Sequence, residues 1–172
     1  DAGRGLYNLS EHIKICKEFD LIYTASGAHP HEAREYADIT VDDIIRGADN
    51  DKVIAIGEAG LDYFYDFAPR SDQIALFEKN ITASQITGKP LIIHNRESDD
   101  DMIRLLQNAY DKKEFKAVVH CYSSTWRLAE VALNLGFYIS ASGIITFPNS
   151  QDIRDNFAKV PLDRLLVETD AP

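Results

Sequence analysis

The sequence predicts an α/β fold built on a parallel sheet. Three observations predict it. Six short apolar runs recur along the 172 residues, each ending in polar or ionisable side chains. Stretches with helical spacing lie between the runs. No low-complexity linker interrupts the alternation, so residues 1–172 read as a single domain. Strands that alternate with helices make βαβ units and a parallel sheet. Six such units fit an open doubly wound sheet or most of a (β/α)8 barrel.

The runs are "LIYTASGAHPH" (21–31), "KVIAIGEAGLD" (52–62), "KPLIIHNR" (89–96), "KAVVHCYSS" (116–124), "FYISASGI" (137–144) and "RLLVETDAP" (164–172). Val and Ile dominate several of them and each is short, which predicts buried strands. Among the helices, residues 8–19 carry Leu9, Ile13, Cys16 and Phe19 on one face. Residues 70–87 carry Ile74, Phe77 and Ile81 and stop at Gly88 and Pro90. Ser98 followed by Asp101 reads as a capping box ahead of Ile103, Leu106 and Ala109. Residues 125–135 carry Leu128, Val131 and Leu135 and end at Gly136, and Ile153 with Phe157 marks a last short helix.

Composition narrows the function classes. The chain is 45% hydrophobic and 27% charged, which is a globular rather than a disordered balance. No apolar run is long enough to span a membrane. With 28 acids against 18 bases, the formal charge of -10 opposes indiscriminate binding of nucleic acid, and only a local basic cleft stays open. The two cysteines, Cys16 and Cys121, are too few for a disulfide framework and point to a reducing compartment, the cytoplasm. The chain opens on Asp1 with no leader-like stretch, so a native N-terminus upstream is expected.

Chemistry gathers at the ends of the runs. Of five histidines, His12 sits among charged neighbours and reads as part of a solvated helix face, while His29, His31, His94 and His120 all follow apolar runs. Glu58 and Asp62 end the second run, and Glu168 and Asp170 end the last. Parallel strands display such residues at one mouth. Any one of these histidines alone reads more readily as structural, but several strands carrying ligand types at the same end point to a metal site. Imidazole and carboxylate on one cation are a usual hydrolytic donor set, and a second cation could clamp the opposite oxygen.

Other candidates are weaker. The acids of "ESDDD" (97–101) fall in the first turn of a helix, where they favour the macrodipole without any ion. Cys121 beside His120 suggests a Cys–His nucleophile, but neighbours on a strand face opposite ways, which favours a buried, inert thiol. "YFYDF" (63–67) is suited either to stacking on bases or to closing over the mouth as an apolar lid. Arg70 and Arg96 could each hold phosphate or pair with a surface acid. "GEAG" lacks the spacing of a nucleotide-binding loop.

Taken together and in order, "GAHPH", "IGEAGLDY", "PLIIHNR", "VVHCYSS", "YISASGI" and "LLVETDAP" resemble the TatD family of metal-dependent hydrolases, over essentially the whole chain. The resemblance implies an amidohydrolase-related TIM barrel, here incomplete, with the six runs as strands three to eight of eight. It implies a deoxyribonuclease, acting 3′-to-5′ on single-stranded DNA through two divalent metal ions (Zn, Mn or Mg). Glu58 would bridge the metals, His94 and His120 would bind one, and Asp170 would bind the other and act as base. His29 and His31 would line the substrate side and Arg96 would approach phosphate. Glu168 would orient a ligand from behind. No membrane and no protein partner are implied. Ser124 stands where the family usually has Gly. The family's opening His-x-His strand and its closing region are expected outside Asp1–Pro172, so this span alone is expected to hold at most one metal tightly, to cleave slowly and to expose sheet edges. A different ester, amide or lactone on the same barrel is the alternative substrate class, and an inactive truncated chain is a further one.

Overall fold

The structure, a computed structural model, describes residues 6–65 and 67–171, with Tyr7 through its backbone alone. All six expected strands are present: β1 (Thr24–Ser26), β2 (Val53–Asp62), β3 (Leu91–Arg96), β4 (Ala117–Val119), β5 (Tyr138–Ala141) and β6 (Leu165–Val167). They form one sheet in sequence order, and every neighbouring pair is parallel. Each return across the sheet carries a helix: α2 (Val41–Ala48), α3 (Arg70–Thr87), α4 (Asp99–Lys112), α5 (Trp126–Asn134) and α6 (Gln151–Phe157). Helix α1 (Leu9–Glu18) precedes β1.

The core lies between strands and helices. Ile56, Leu61, Leu91, Ile93 and Ile139 are fully buried against Phe77, Met102, Leu106 and Leu128 from the helices. Burial of one such Leu, Ile or Phe stabilises the fold by about 1.5–3 kcal/mol. The alternating pattern thus has a direct cause, because a parallel sheet covered by helices must be apolar through its middle.

Helix ends follow from sequence with two differences. Gly88 closes α3 in the left-handed region at φ 72°, where a residue with Cβ is strained. The expected capping box at Ser98 does not form. The Ser98 hydroxyl instead donates toward Leu61 O at 3.2 Å and Asn95 Oδ1 at 2.7 Å, acceptors near the ends of β2 and β3. A capping box does open α2, which the hydrophobic spacing alone passes over. The Thr40 hydroxyl accepts from Asp43 N at 3.2 Å and the Asp43 carboxylate accepts from Thr40 N at 2.8 Å.

Some expected burial is absent. Phe19 is 53% exposed and Val167 is 82% exposed. Among the described residues strand β6 pairs with β5 alone and β1 with β2 alone, so these two edge strands pack on fewer neighbours. His12 is half-buried rather than solvated.

Two local irregularities aim β2 at the site. Between Ile56 and Ala59 the strand holds one more residue than the facing stretch Leu91–Ile93, a bulge that contains Glu58. Downstream, Gly60 lies opposite His94, and a Cβ on Gly60 would sit 1.9 Å from the His94 carbonyl oxygen. Only glycine permits that approach, which seats β3, and hence His94, close against β2.

Candidate active site

The expected site residues meet at the carboxyl ends of the strands. Glu58, His94, Arg96, His120 and Asp170 line one cavity of about 300 Å³, together with His29, Asn95, Cys121, Ser123 and Ile144. They come from β2, from β3 and from the segments that follow β1, β4, β5 and β6.

Glu58 is the focus. Its Oε1 lies 2.8 Å from His94 Nδ1, 2.6 Å from His120 Nε2 and 3.5 Å from His29 Nε2. Each of the first two imidazoles is held from its other nitrogen by a second carboxylate. His94 Nε2 lies 3.0 Å from Asp62 Oδ2, and His120 Nδ1 lies 3.4 Å from Glu168 Oε2. A carboxylate behind a histidine sets its ring orientation and raises its basicity. Asp62 therefore stands to His94 as Glu168 stands to His120.

His29 caps a short 3₁₀ turn, Pro30–Glu32, and His31 lies within it. His29 Nδ1 accepts the His31 backbone N–H at 3.2 Å, which leaves Nε2 to carry the proton of the neutral ring and to point it toward Glu58. His31 Nε2 lies 2.9 Å from Asp62 Oδ2. The His29 and His94 rings are 4.7 Å apart between centroids.

Charges in this cluster shift together. Burial raises the cost of a Glu58 carboxylate, but hydrogen bonds from His120, His29 and His94 more than offset it and hold the group ionised far below the usual range. Burial opposes a cation on His120, yet Glu168 and Glu58 push it up to about 10. Burial likewise opposes a cation on His94, and Asp62 with Glu58 reverses it. For His29 burial wins, and its pKa is lowered. His120, with help from the Cys121 N–H, draws Glu168 down to about 2.

The donor chemistry suits divalent cations. Glu58, His94 and His120 each offer a ligand atom within 4.8 Å of the others, and the same holds for His120, Glu168 and Asp170 and for His29, His31 and His94. Mixed imidazole and carboxylate donors match Zn and Mn, whereas Mg favours oxygen alone.

Other candidates resolve differently. Cys121 does not face away from His120. Strand β4 ends at Val119, Cys121 takes φ 42°, and both side chains line the cavity. Burial pushes its thiol up to about 12, so it stays protonated and a poor nucleophile. Asp99, Asp100 and Asp101 are engaged as helix and loop partners. Asp99 accepts from Asn95 at 2.8 Å, from Thr125 Oγ1 at 2.5 Å and from the Ser124 hydroxyl. Asp101 accepts from Tyr63 and Arg104, both at 2.7 Å. Arg70 lies over the Tyr63 ring at 4.1 Å.

Three supporting residues escaped the sequence reading of the site. Asp62 was visible as a strand end, but its hold on His94 was not. Gln73 is buried in α3 and clamps the Asp62 backbone, accepting from its N–H at 2.8 Å and donating to its carbonyl at 3.0 Å. A buried glutamine in the first turn of a helix that follows a ligand-bearing strand is the only signal it leaves. Asn95 next to His94 ties the β3 and β4 loops through Asp99 and Ser124.

The chain matches, over residues 2–172, the family described as TatD related DNase. It is 32% identical over 160 residues to the uncharacterized metal-dependent hydrolase YabD of Bacillus subtilis (strain 168), covering 93% of this chain and 62% of YabD. It is 31% identical over 162 residues to the 3'-5' RNA nuclease TATDN2 of Homo sapiens, covering 92% of this chain and 21% of TATDN2. The crystal structure of YjjV, a TatD homolog from Escherichia coli K12, superposes with a TM-score of 0.87 at 31% identity, over 96% of this chain and 64% of YjjV. The chain thus spans less than two thirds of the length of each of these relatives.

Proposed function

Because the chain belongs to the TatD family of metal-dependent hydrolases, we infer that the protein hydrolyses phosphodiester bonds of DNA, working inward from the 3′ end of a single strand. One observation carries this reading: His94 and His120 each bring a ring nitrogen to the same oxygen of Glu58. Two imidazoles converging on one carboxylate are a donor set that a divalent cation would take, which supports the reading. Glu58, His94 and His120 would hold one divalent ion, with Glu58 shared toward a second held by Asp170. When bound, such ions lower the pKa of water to about 7 and offset charge on the phosphate.

The chain's own residues supply the remainder. The Asp170 carboxylate accepts the proton of the attacking water. His29, with Nε2–H turned into the cavity, and the Arg96 guanidinium donate toward phosphate oxygens. His31 lines the same side. Asp62 and Glu168 keep the His94 and His120 rings aimed. Residues 1–172 work as one unit, and the cytoplasm suits the two free cysteines. Among the described residues no helix is long and apolar enough to cross a membrane.

Because TATDN2 is named an RNA nuclease, RNA is the second substrate reading. The test is a comparison of single-stranded DNA, RNA and simple ester substrates with Zn, Mn or Mg added. The expected result is metal-dependent release of nucleotides from the DNA 3′ end. Asp170→Asn should lower turnover by 100-fold or more, on the order of what a general base contributes, with DNA binding largely kept. Near wild-type turnover in that variant would remove Asp170 from the role of base.

A further inference from the structure

The aromatic segment that follows β2 is joined to the metal-ligating cluster through one carboxylate. Asp62 Oδ2 faces His31 and His94, while Asp62 Oδ1 accepts from the backbone N–H groups of Phe64, at 3.1 Å, and Tyr65, at 3.0 Å. The backbone of Phe64 and Tyr65 is therefore fastened to the carboxylate that also meets His94. Phe64, Tyr65 and Phe67 are 50%, 42% and 58% exposed, a large apolar area to leave in water beside a cluster of ionised groups. The Tyr65 and Phe67 rings stack at 5.4 Å and 12°, and Phe64 stands edge-on to Tyr65 at 4.8 Å. His31 meets Phe67 edge-on at 4.8 Å, so the patch begins where the histidines end.

Arg96 completes it. Its guanidinium lies 4.2 Å above the Phe64 ring and 5.4 Å from Tyr65, and it also borders the cavity of Glu58 and His94. No carboxylate among the described residues pairs with it. A cation seated on exposed rings, next to a phosphodiesterase centre, matches the two halves of a nucleotide: a planar base with a π-face and an anionic phosphate.

We propose that Phe64, Tyr65 and Phe67, braced by Arg96, form a stacking platform for the terminal base of a single-stranded nucleic acid, which seats the adjoining phosphate at the metal-ligating cluster. The proposal rests on the nuclease reading for its substrate class. It adds how the end of a strand is recognised without reading sequence, since every base offers a π-face. It also explains how a chain of net charge -10 holds a polyanion, with stacking and a local cation in place of a basic track.

The test compares two single-stranded oligonucleotides, one with an intact 3′-terminal base and one with an abasic 3′ terminus. Binding is measured with Ca²⁺ present and cleavage with Mn²⁺. The protein should bind the intact end about 10-fold more tightly, in the range produced by loss of one stacked base. Phe64→Ala with Phe67→Ala should abolish that preference, so that the intact and abasic ends bind with equal affinity. Phe64→Trp should retain the preference. Both phenylalanines are exposed, so the fold survives these changes. Equal affinity for the two ends, or a preference that persists in the double variant, overturns the platform. Equal and metal-dependent cleavage of both ends would overturn the platform and leave the nuclease reading standing. A base preference in binding, with no cleavage under any metal, would keep the platform and remove the nuclease reading.

Discussion

Asp62 shows how one carboxylate serves two neighbourhoods. One oxygen aims the His94 ring and the other fastens the Phe64–Tyr65 backbone. Substituting Asp62→Asn keeps the shape but replaces an acceptor with a donor at one oxygen, and removes the charge that favours the His94 ring. Metal affinity should fall by 10- to 100-fold, the usual loss when a carboxylate behind a ligating histidine is removed. Titration calorimetry with Zn²⁺ or Mn²⁺ checks it, and unchanged affinity would show that Asp62 serves only the loop. At this scale the sequence was informative where a residue ends an apolar run. Glu58, His94, His120, Glu168 and Asp170 could be singled out as candidates for that reason. What Asp62 does was not legible, because it depends on the chain curling back at Phe64. The orientation of Cys121 was misread because alternation holds only while the strand lasts, and β4 stops two residues earlier.

Among the elements, β2 carries the most constraint. Its bulge presents Glu58, and Gly60 lets the His94 carbonyl approach. A methyl group at position 60 has no room, and φ 158° there is itself unfavourable for other residues. Gly60→Ala should cost about 2–4 kcal/mol, a strain-and-clash mechanism among those that give large losses, and should weaken metal binding by moving β3. Urea denaturation with metal titration measures both. A neutral effect on stability would mean that β3 shifts freely, against the packed register of Ile93 and Leu91. The six strands and their parallel pairing could be read from the spacing of apolar runs, but their order could not, since the same alternation also fits a doubly wound sheet. Bulges could not, because one inserted residue leaves the composition of "VIAIGEAGLD" strand-like. The missed α2 and the unformed box at Ser98 show the same limit from the other side. A T-x-x-D or S-x-x-D pattern caps a helix only if nearby strand ends do not claim the hydroxyl first.

For the whole molecule, the parallel sheet gathers ligands from segments far apart in sequence, with Glu58 and Asp170 separated by more than half of the chain. The acidic surface keeps indiscriminate polyanion binding low, while the cavity concentrates imidazoles and Arg96. The alternation of runs and helices pointed to a parallel α/β sheet, open or closed, and the six ordered motifs pointed to the family and its barrel. Side-chain distances within the cluster needed the structure, since they arise from the close approach of β2 and β3. We propose that Glu58, His94 and His120 ligate a catalytic cation. Anomalous diffraction from crystals of the protein loaded with Zn²⁺ or Mn²⁺ tests it most directly. A peak is expected about 2.0–2.2 Å from one Glu58 oxygen and from a ring nitrogen each of His94 and His120. A loaded protein whose metal sits away from these three residues, with Glu58 still bonded to both imidazoles, would contradict it.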